Sequence, residues 1–340
     1  MKVAIFHGAG KPITIEELPD GEVGPGDIRI NVERCGICGS DVSMTSGSPF
    51  DYASERPIGH ESAGEVIEVG REVTSLKVGD KVAVMPIGTC GACQNCRDGR
   101  PLFCLKGVPV FGGFGERLVL PATSAFAMPA SMSFADGALV EPMACGRKAL
   151  RVAAFKPGDR VLVLGAGNMA LSIIYWARLM GAGRIAVASR SAKRDDIVMA
   201  MGADACIRLS EEDPAAVERA LGGPPDIVAE CIGKEGMIQA AIGHAKLGGH
   251  VLSMGMCSAP DSLIPAFGTF REVSVHFPLA YSPDDLVATI RAFDAGKVRP
   301  EDMVSSTIAL GDLPAMLDEM RGPHDHLKVH VAPQRGCSHG

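Results

Sequence analysis

RVLVLGAGNMALSIIYWARLMGA, residues 160–182, passes from an unbroken apolar run through a glycine-rich turn into a long apolar helix. Val161 to Leu164 read as a buried strand. Gly165, Gly167 and Ala170 match GxGxxA where the helix MALSIIYWARLMGA begins, and with Asn168 and Met169 they are the candidate cofactor-binding residues of the loop. The glycines permit the tight turn and close backbone approach, and the free N–H groups at the helix start attract a pyrophosphate. Alone, such a motif is weak evidence. Here it heads a series of strand-like runs separated by helical stretches: RIAVAS (184–189), DACIRL (204–209), DIVAECIG (226–233) and HVLSMGM (250–256). That alternation specifies a parallel, doubly wound sheet, hence a Rossmann dinucleotide domain.

Cofactor choice in this architecture is read at the end of the second strand, about twenty residues on, where Asp or Glu would bind the ribose hydroxyls of NAD. Ser189 stands there instead, followed by Arg190, Lys193 and Arg194. A corner without a carboxylate and with several cations favours a phosphate, so NADP(H) is expected over NAD(H).

Outward from this core, the texture changes. Residues 1 to about 145 are rich in Gly, Pro, Val and Ile, with alternating runs such as IRINVE (28–33) and AGEVIEVG (63–70), which signal antiparallel strands. After about Ser282 come a helix, SSTIAL, the helix LPAMLDEM and LKVHVAP, too little for a third domain. The expected division is 1–147 as a β-rich domain, 148–282 as the Rossmann domain, and 283–340 returning to the first. The closing PQRGCSHG reads as a frayed tail.

Composition sets the outer bounds. A chain of 340 residues, 46% hydrophobic, is sized for about two packed domains. The net charge of −7 is dispersed rather than run in blocks, which argues against nucleic acid or an acidic membrane surface as partner. The N-terminus reads as two short strands around a turn rather than a signal peptide, and no run of about 18 apolar residues occurs, so a cytoplasmic location is expected. In that setting the eleven cysteines are metal ligands or small buried hydrophobes rather than disulfides, with Cys206, Cys231 and Cys257 expected in the core.

CGACQNCRDGRPLFC (90–104) places Cys90, Cys93, Cys96 and Cys104 at spacings that let four thiolates converge on one tetrahedral Zn²⁺. A structural metal lobe follows. CGICGSD (35–41) and GHE (59–61) offer Cys38, His60 and Glu61 as a second set.

The order GICGSD, GHE, CxxCxxC and GAGxxA resembles the zinc-dependent medium-chain dehydrogenase/reductase family over essentially the whole chain. LVEPMA (139–144) is similar to the polyol and threonine dehydrogenase branch. The resemblance implies a β-rich GroES-like catalytic domain beside the Rossmann domain, with one catalytic and one structural zinc. It implies Cys38 and His60 as catalytic zinc ligands, with Glu61 and Glu141 binding directly or through water. Asp41 would orient the His60 imidazole, and Ser40 would hydrogen-bond the substrate oxygen and pass its proton outward. Gly115, Glu116 and Lys328 fall in segments similar to the family's but receive no chemistry. The implied activity is hydride transfer between NADP(H) and an alcohol/carbonyl pair.

Ser43 is a departure, since many relatives carry His there to end the proton relay, and serine is no base near neutral pH. The substrate pocket is expected near Ser43, SPFDY (48–52), Glu141 and parts of 255–280, a lining suited to a neutral secondary alcohol, polyol or aromatic alcohol. Two alternatives share the fold: a reductase of activated C=C or C=N bonds, and a non-catalytic cofactor-binding protein. The resemblance also implies a homodimer or homotetramer, paired through TFREVSVHF near 268–280.

Overall fold

The computed structural model describes residues 1–47, 53–208, 214–296 and 300–335. The SPFDY segment and residues 336–340 of the tail lie outside the described residues.

The chain forms two compact units: Met1–Glu141 with Ser282–Gly296 and the residues from Pro300, and Pro142–Tyr281. In the first unit the strands run β1 (Lys2–Phe6), β2 (Thr14–Glu17), β3 (Asp27–Gly36), β4 (Arg56–Pro57), β5 (Glu61–Val69), β6 (Lys81–Val84), β7 (Ile87–Gly88), β8 (Val108–Pro109), β9 (Arg117–Pro121) and β10 (Ala125–Ala127). Three short helices or helical stretches matter here: α1 (Gly39–Thr45), α2 (Gln94–Arg97) and the start of α3 (Phe134–Val152). The unit boundary falls inside α3, between Glu141 and Pro142.

The second unit holds β11 (Arg160–Leu164), α4 (Asn168–Leu179), β12 (Arg184–Ser189), α5 (Asp195–Ala200), β13 (Ala205–Arg208), β14 (Ile227–Glu230), β15 (His250–Ser253) and β16 (Ser274–His276). Its six strands lie in the order β13-β12-β11-β14-β15-β16, all parallel. That is the doubly wound order, with the sequence reversal beside β11 where ligands bind. Leu162, Leu164, Ala186, Ala188, Val228 and Val251 fill the core beneath it. Cys206 and Cys257 are only half-buried, contrary to expectation, whereas Cys231, half-buried as a residue, has a thiol whose pKa burial raises well above the ordinary value. Cys206 sits on the sheet-edge strand β13, Cys231 follows the last residue of β14, and Cys257 lies in the loop after β15.

The chain returns to the first unit at Ser282, with the helix Pro283–Asp294, and then adds β17 (Val304–Ala309) and β18 (Lys328–Ala332). The resulting seven-stranded sheet has the path β10-β6-β5-β3-β18-β17, with β9 also paired to β3. Along β3, Ile28, Ile30 and Val32 are fully buried while alternate residues are not, the period-2 pattern of a strand with one face on a core. Near the end of β3, Gly36 lies opposite Glu61 of β5 on one side and His330 of β18 on the other. Three lateral neighbours share one face, which is where the site is built.

Candidate active site

Cys38 caps α1 with an extended backbone, φ −93° and ψ 153°. Asp41, in the first turn of α1, is 2% exposed and uses both carboxylate oxygens. Oδ2 accepts the Cys38 N–H at 2.9 Å, and Oδ1 lies 3.5 Å from His60 Nδ1. One oxygen thereby fixes the turn that carries Cys38, while the other faces the imidazole. His60 is delivered by Gly59, whose φ of +93° and proximity to Phe114 exclude a side chain: a Cβ would sit 2.6 Å from the Phe114 nitrogen. Burial works against a charged His60 ring, yet the Asp41 carboxylate and the Cys38 sulfur together raise its pKa well above the ordinary value.

Glu61 and Lys328 are each 1% exposed. Lys328 Nζ donates to both Glu61 oxygens, at 2.8 and 2.6 Å, and to the Ile37 carbonyl at 3.0 Å. Burial alone would lower the lysine pKa, but Glu61 and then Cys38 outweigh it and raise it. The ammonium reaches across β3 at Gly36, where a Cβ would fall on the Glu61 carboxylate. A bare position on the middle strand therefore lets the ion pair form.

A Cys38 sulfur, a His60 nitrogen and a Glu61 oxygen lie within 4.8 Å of one another. Such a mixed S, N and O set could hold Zn²⁺ with a coordination position left for water or substrate. Glu141 is buried in α3 and stands outside that set. Ser40 is half-buried in the first turn of α1, and Ser43 is exposed.

The cysteine quartet is assembled without disulfides. Its sulfurs are separated by 3.5 Å (Cys93–Cys96, Cys90–Cys104) and 4.0 Å (Cys90–Cys96, Cys93–Cys104). A tetrahedron with Zn–S bonds of about 2.3 Å has edges of about 3.8 Å, so the four fit one zinc. Backbone N–H groups of Cys93 and Cys90 point at Cys90 and Cys104 sulfurs, at 3.4 and 3.3 Å. Backbone donors lower the pKa of Cys93 to about 6, whereas burial and the neighbouring thiols push Cys96 up to about 12.

In the second unit, Gly165 bends with φ +102° and α4 begins at Asn168, immediately after Gly167 and just before Met169 and Ala170. Arg194 Nη1 donates to the Ala166 carbonyl at 3.1 Å, bracing this loop, while Arg190 and Lys193 are exposed. Ser189 ends β12 with its hydroxyl on the Ser191 carbonyl at 3.0 Å.

Three residues escaped sequence reasoning. Lys328 received no role, although a lysine at a buried register position of LKVHV is anomalous. Glu230 is a buried carboxylate whose Oε1 accepts the Ile232 and Gly233 N–H groups at 2.6 and 2.8 Å, shaping the turn beside the glycine loop. Arg208 is joined to Ser189 and Asp195. Glu116 has a structural place, accepting the Lys2 N–H at 2.7 Å.

Comparison with known proteins agrees with this geometry. Residues 24–130 match the alcohol dehydrogenase GroES-like domain, and residues 165–295 match the zinc-binding dehydrogenase domain. The chain is 30% identical to sorbitol dehydrogenase of Bacillus subtilis (strain 168), over 98% of both chains. Among solved structures, 2R,3R-butanediol dehydrogenase from Bacillus subtilis superposes with a TM-score of 0.88 at 27% identity, covering 98% of this chain and 99% of the other. A structure described as a zinc-binding dehydrogenase from Sinorhizobium meliloti 1021, bound to NADP, gives 0.88 at 28% identity, again over 98% and 99%. GroES-like and Rossmann units, the cysteine quartet, the Cys38–His60–Glu61 cluster and these relatives together make the chain a member of the zinc-dependent medium-chain alcohol and polyol dehydrogenase family.

Proposed function

We propose that this protein oxidises a neutral secondary alcohol or polyol, or reduces the matching carbonyl, with a preference for NADP(H). The observation that carries the reading is the cluster of Cys38, His60 and Glu61, braced by Asp41 behind the imidazole and Lys328 behind the carboxylate. Cys38 and His60 would hold the catalytic metal, with Glu61 and Glu141 as the carboxylates near it. When bound, zinc lowers the pKa of an alcohol toward neutrality and the nicotinamide accepts the hydride.

The remaining work falls to the chain. Asp41 keeps the ring of His60 turned and its nitrogen basic. The Ser40 hydroxyl takes the substrate proton and hands it outward, and with Ser43 in place of a histidine the proton leaves to water rather than to a second base. Cys90, Cys93, Cys96 and Cys104 would close a second zinc in a purely structural lobe. The glycine loop at Gly165 and Gly167 would seat the pyrophosphate, and Ser189, Arg190 and Arg194 the phosphate-bearing ribose. The NADP-bound relative from Sinorhizobium meliloti is consistent with that choice.

Pairing into a homodimer is supported by the edge strand β16, flanked by exposed Phe267, Phe270 (85%), Phe277 (71%) and Leu279. A purely monomeric mass in solution contradicts it.

The activity test is an initial-rate screen of zinc-loaded protein with NADP⁺ and NAD⁺ in parallel, against secondary alcohols, polyols, aromatic alcohols and amino alcohols. Turnover with one class, faster with NADP⁺ and abolished in Cys38→Ala, is the expected result. Full zinc occupancy without oxidation of any alcohol overturns the reading.

A further inference from the structure

We propose that Arg208 is a specificity-determining residue: by masking the Asp195 carboxylate and pinning the turn after β12, it makes that corner acceptable to a 2′-phosphate. This rests on the NADP(H) reading above.

Arg208 ends β13, in register with Ser189 at the end of β12. Its Nη1 lies 3.1 Å from Ser189 Oγ, 3.0 Å from the Ser191 carbonyl and 3.1 Å from Asp195 Oδ1, while Nη2 bonds Asp195 Oδ2. One guanidinium therefore grips the strand end, the turn and the first residue of α5. The contact with Asp195 is two-pronged, the geometry in which arginine binds a carboxylate most tightly. The hydrogen bond from Arg208 holds the Asp195 carboxyl below the usual carboxylate range.

Asp195 directly follows the cationic stretch of Arg190, Lys193 and Arg194. Without its partner, it would place a bare negative charge in a corner otherwise suited to phosphate. It would also offer ribose hydroxyls the acceptor that NAD-binding corners use. Arg208 thus acts through Asp195 and Ser189, as a positioning residue, and its loss should shift preference rather than simply weaken binding.

The experiment measures dissociation constants of NADPH and NADH by nicotinamide fluorescence in the full-length protein, Arg208→Gln, Asp195→Asn and the double variant, with thermal melts alongside. Arg208→Gln should weaken NADPH about tenfold, with a far smaller change for NADH, and the double variant should regain most of the loss. Equal loss for both cofactors, or no recovery in the double variant, overturns the proposal and leaves Arg208 as a fold tie. Should Arg208→Gln fail to fold, Asp195→Asn decides: NADPH affinity kept or raised supports masking, and a fall refutes it. If the parent protein itself binds NADH more tightly than NADPH, the cofactor reading falls and this inference with it.

Discussion

Two buried residues two positions apart on β18, Lys328 and His330, have opposite electrostatic fates. Lys328 is charged and fully compensated by Glu61, so removing it strands a carboxylate in the interior. Lys328→Met should cost about 3–5 kcal/mol in urea unfolding, while Glu61→Leu combined with it should recover most of that stability without restoring turnover. Equal destabilisation in the single and double variants would contradict the pairing. His330 is fully buried with neither ring nitrogen hydrogen-bonded, and burial, then Lys328 and Arg34, lower its pKa to about 3. The unfolded chain takes up this proton near pH 6.5 and the folded chain refuses it until near 3. Stability is therefore lost as pH falls through that window. Between pH 7 and 5 the share of His330 is about 2 kcal/mol. His330→Leu should flatten the acid limb of a urea-midpoint profile by that amount, and an unchanged limb would refute it.

At the scale of elements, legibility in the sequence followed distance along the chain. The quartet in 90–104 and the glycine loop in 165–170 were readable because each is made by one turn and its immediate neighbours. Their geometry is encoded in spacing. Lys328 and Glu61 are 267 residues apart and meet only because β18 lies beside β3. Ser189 and Arg208, 19 apart, meet through strand register. No local pattern carries such pairs. The same contrast separates what the elements do. The lobe is held by the short helical turns Gln94–Arg97 and Pro101–Phe103, by Asn95 Nδ2 on the Phe103 carbonyl and by sulfur-directed N–H bonds. Cys93→Ser should remove one zinc per chain by metal analysis and lower Tm by roughly 2–4 °C for each kcal/mol lost from the lobe. Undiminished zinc content would show that the quartet is not a metal site.

For the whole molecule, the division into a β-rich unit interrupted by a Rossmann unit was visible from texture, whereas the location of the boundary within α3 was not, because a continuous helix shows no break at Pro142. The C-terminal return is more than a tether. β18 occupies an interior place in the seven-stranded sheet, so deleting residues from 323 onward should leave β3 and β17 without their shared partner and yield no cooperative thermal transition. A cooperative melt with retained metal would show that β18 is dispensable. The order of synthesis gives this arrangement a further meaning. A ribosome moving at about 5–20 residues per second finishes Glu61 roughly 13–53 s before it reaches Lys328, 267 residues later. The nascent chain must carry an acid without its counter-charge throughout that interval, and a prematurely terminated product lacks the lysine altogether. The Glu61–Lys328 pair can therefore close only once β18, the last-made strand of its sheet, has been synthesised.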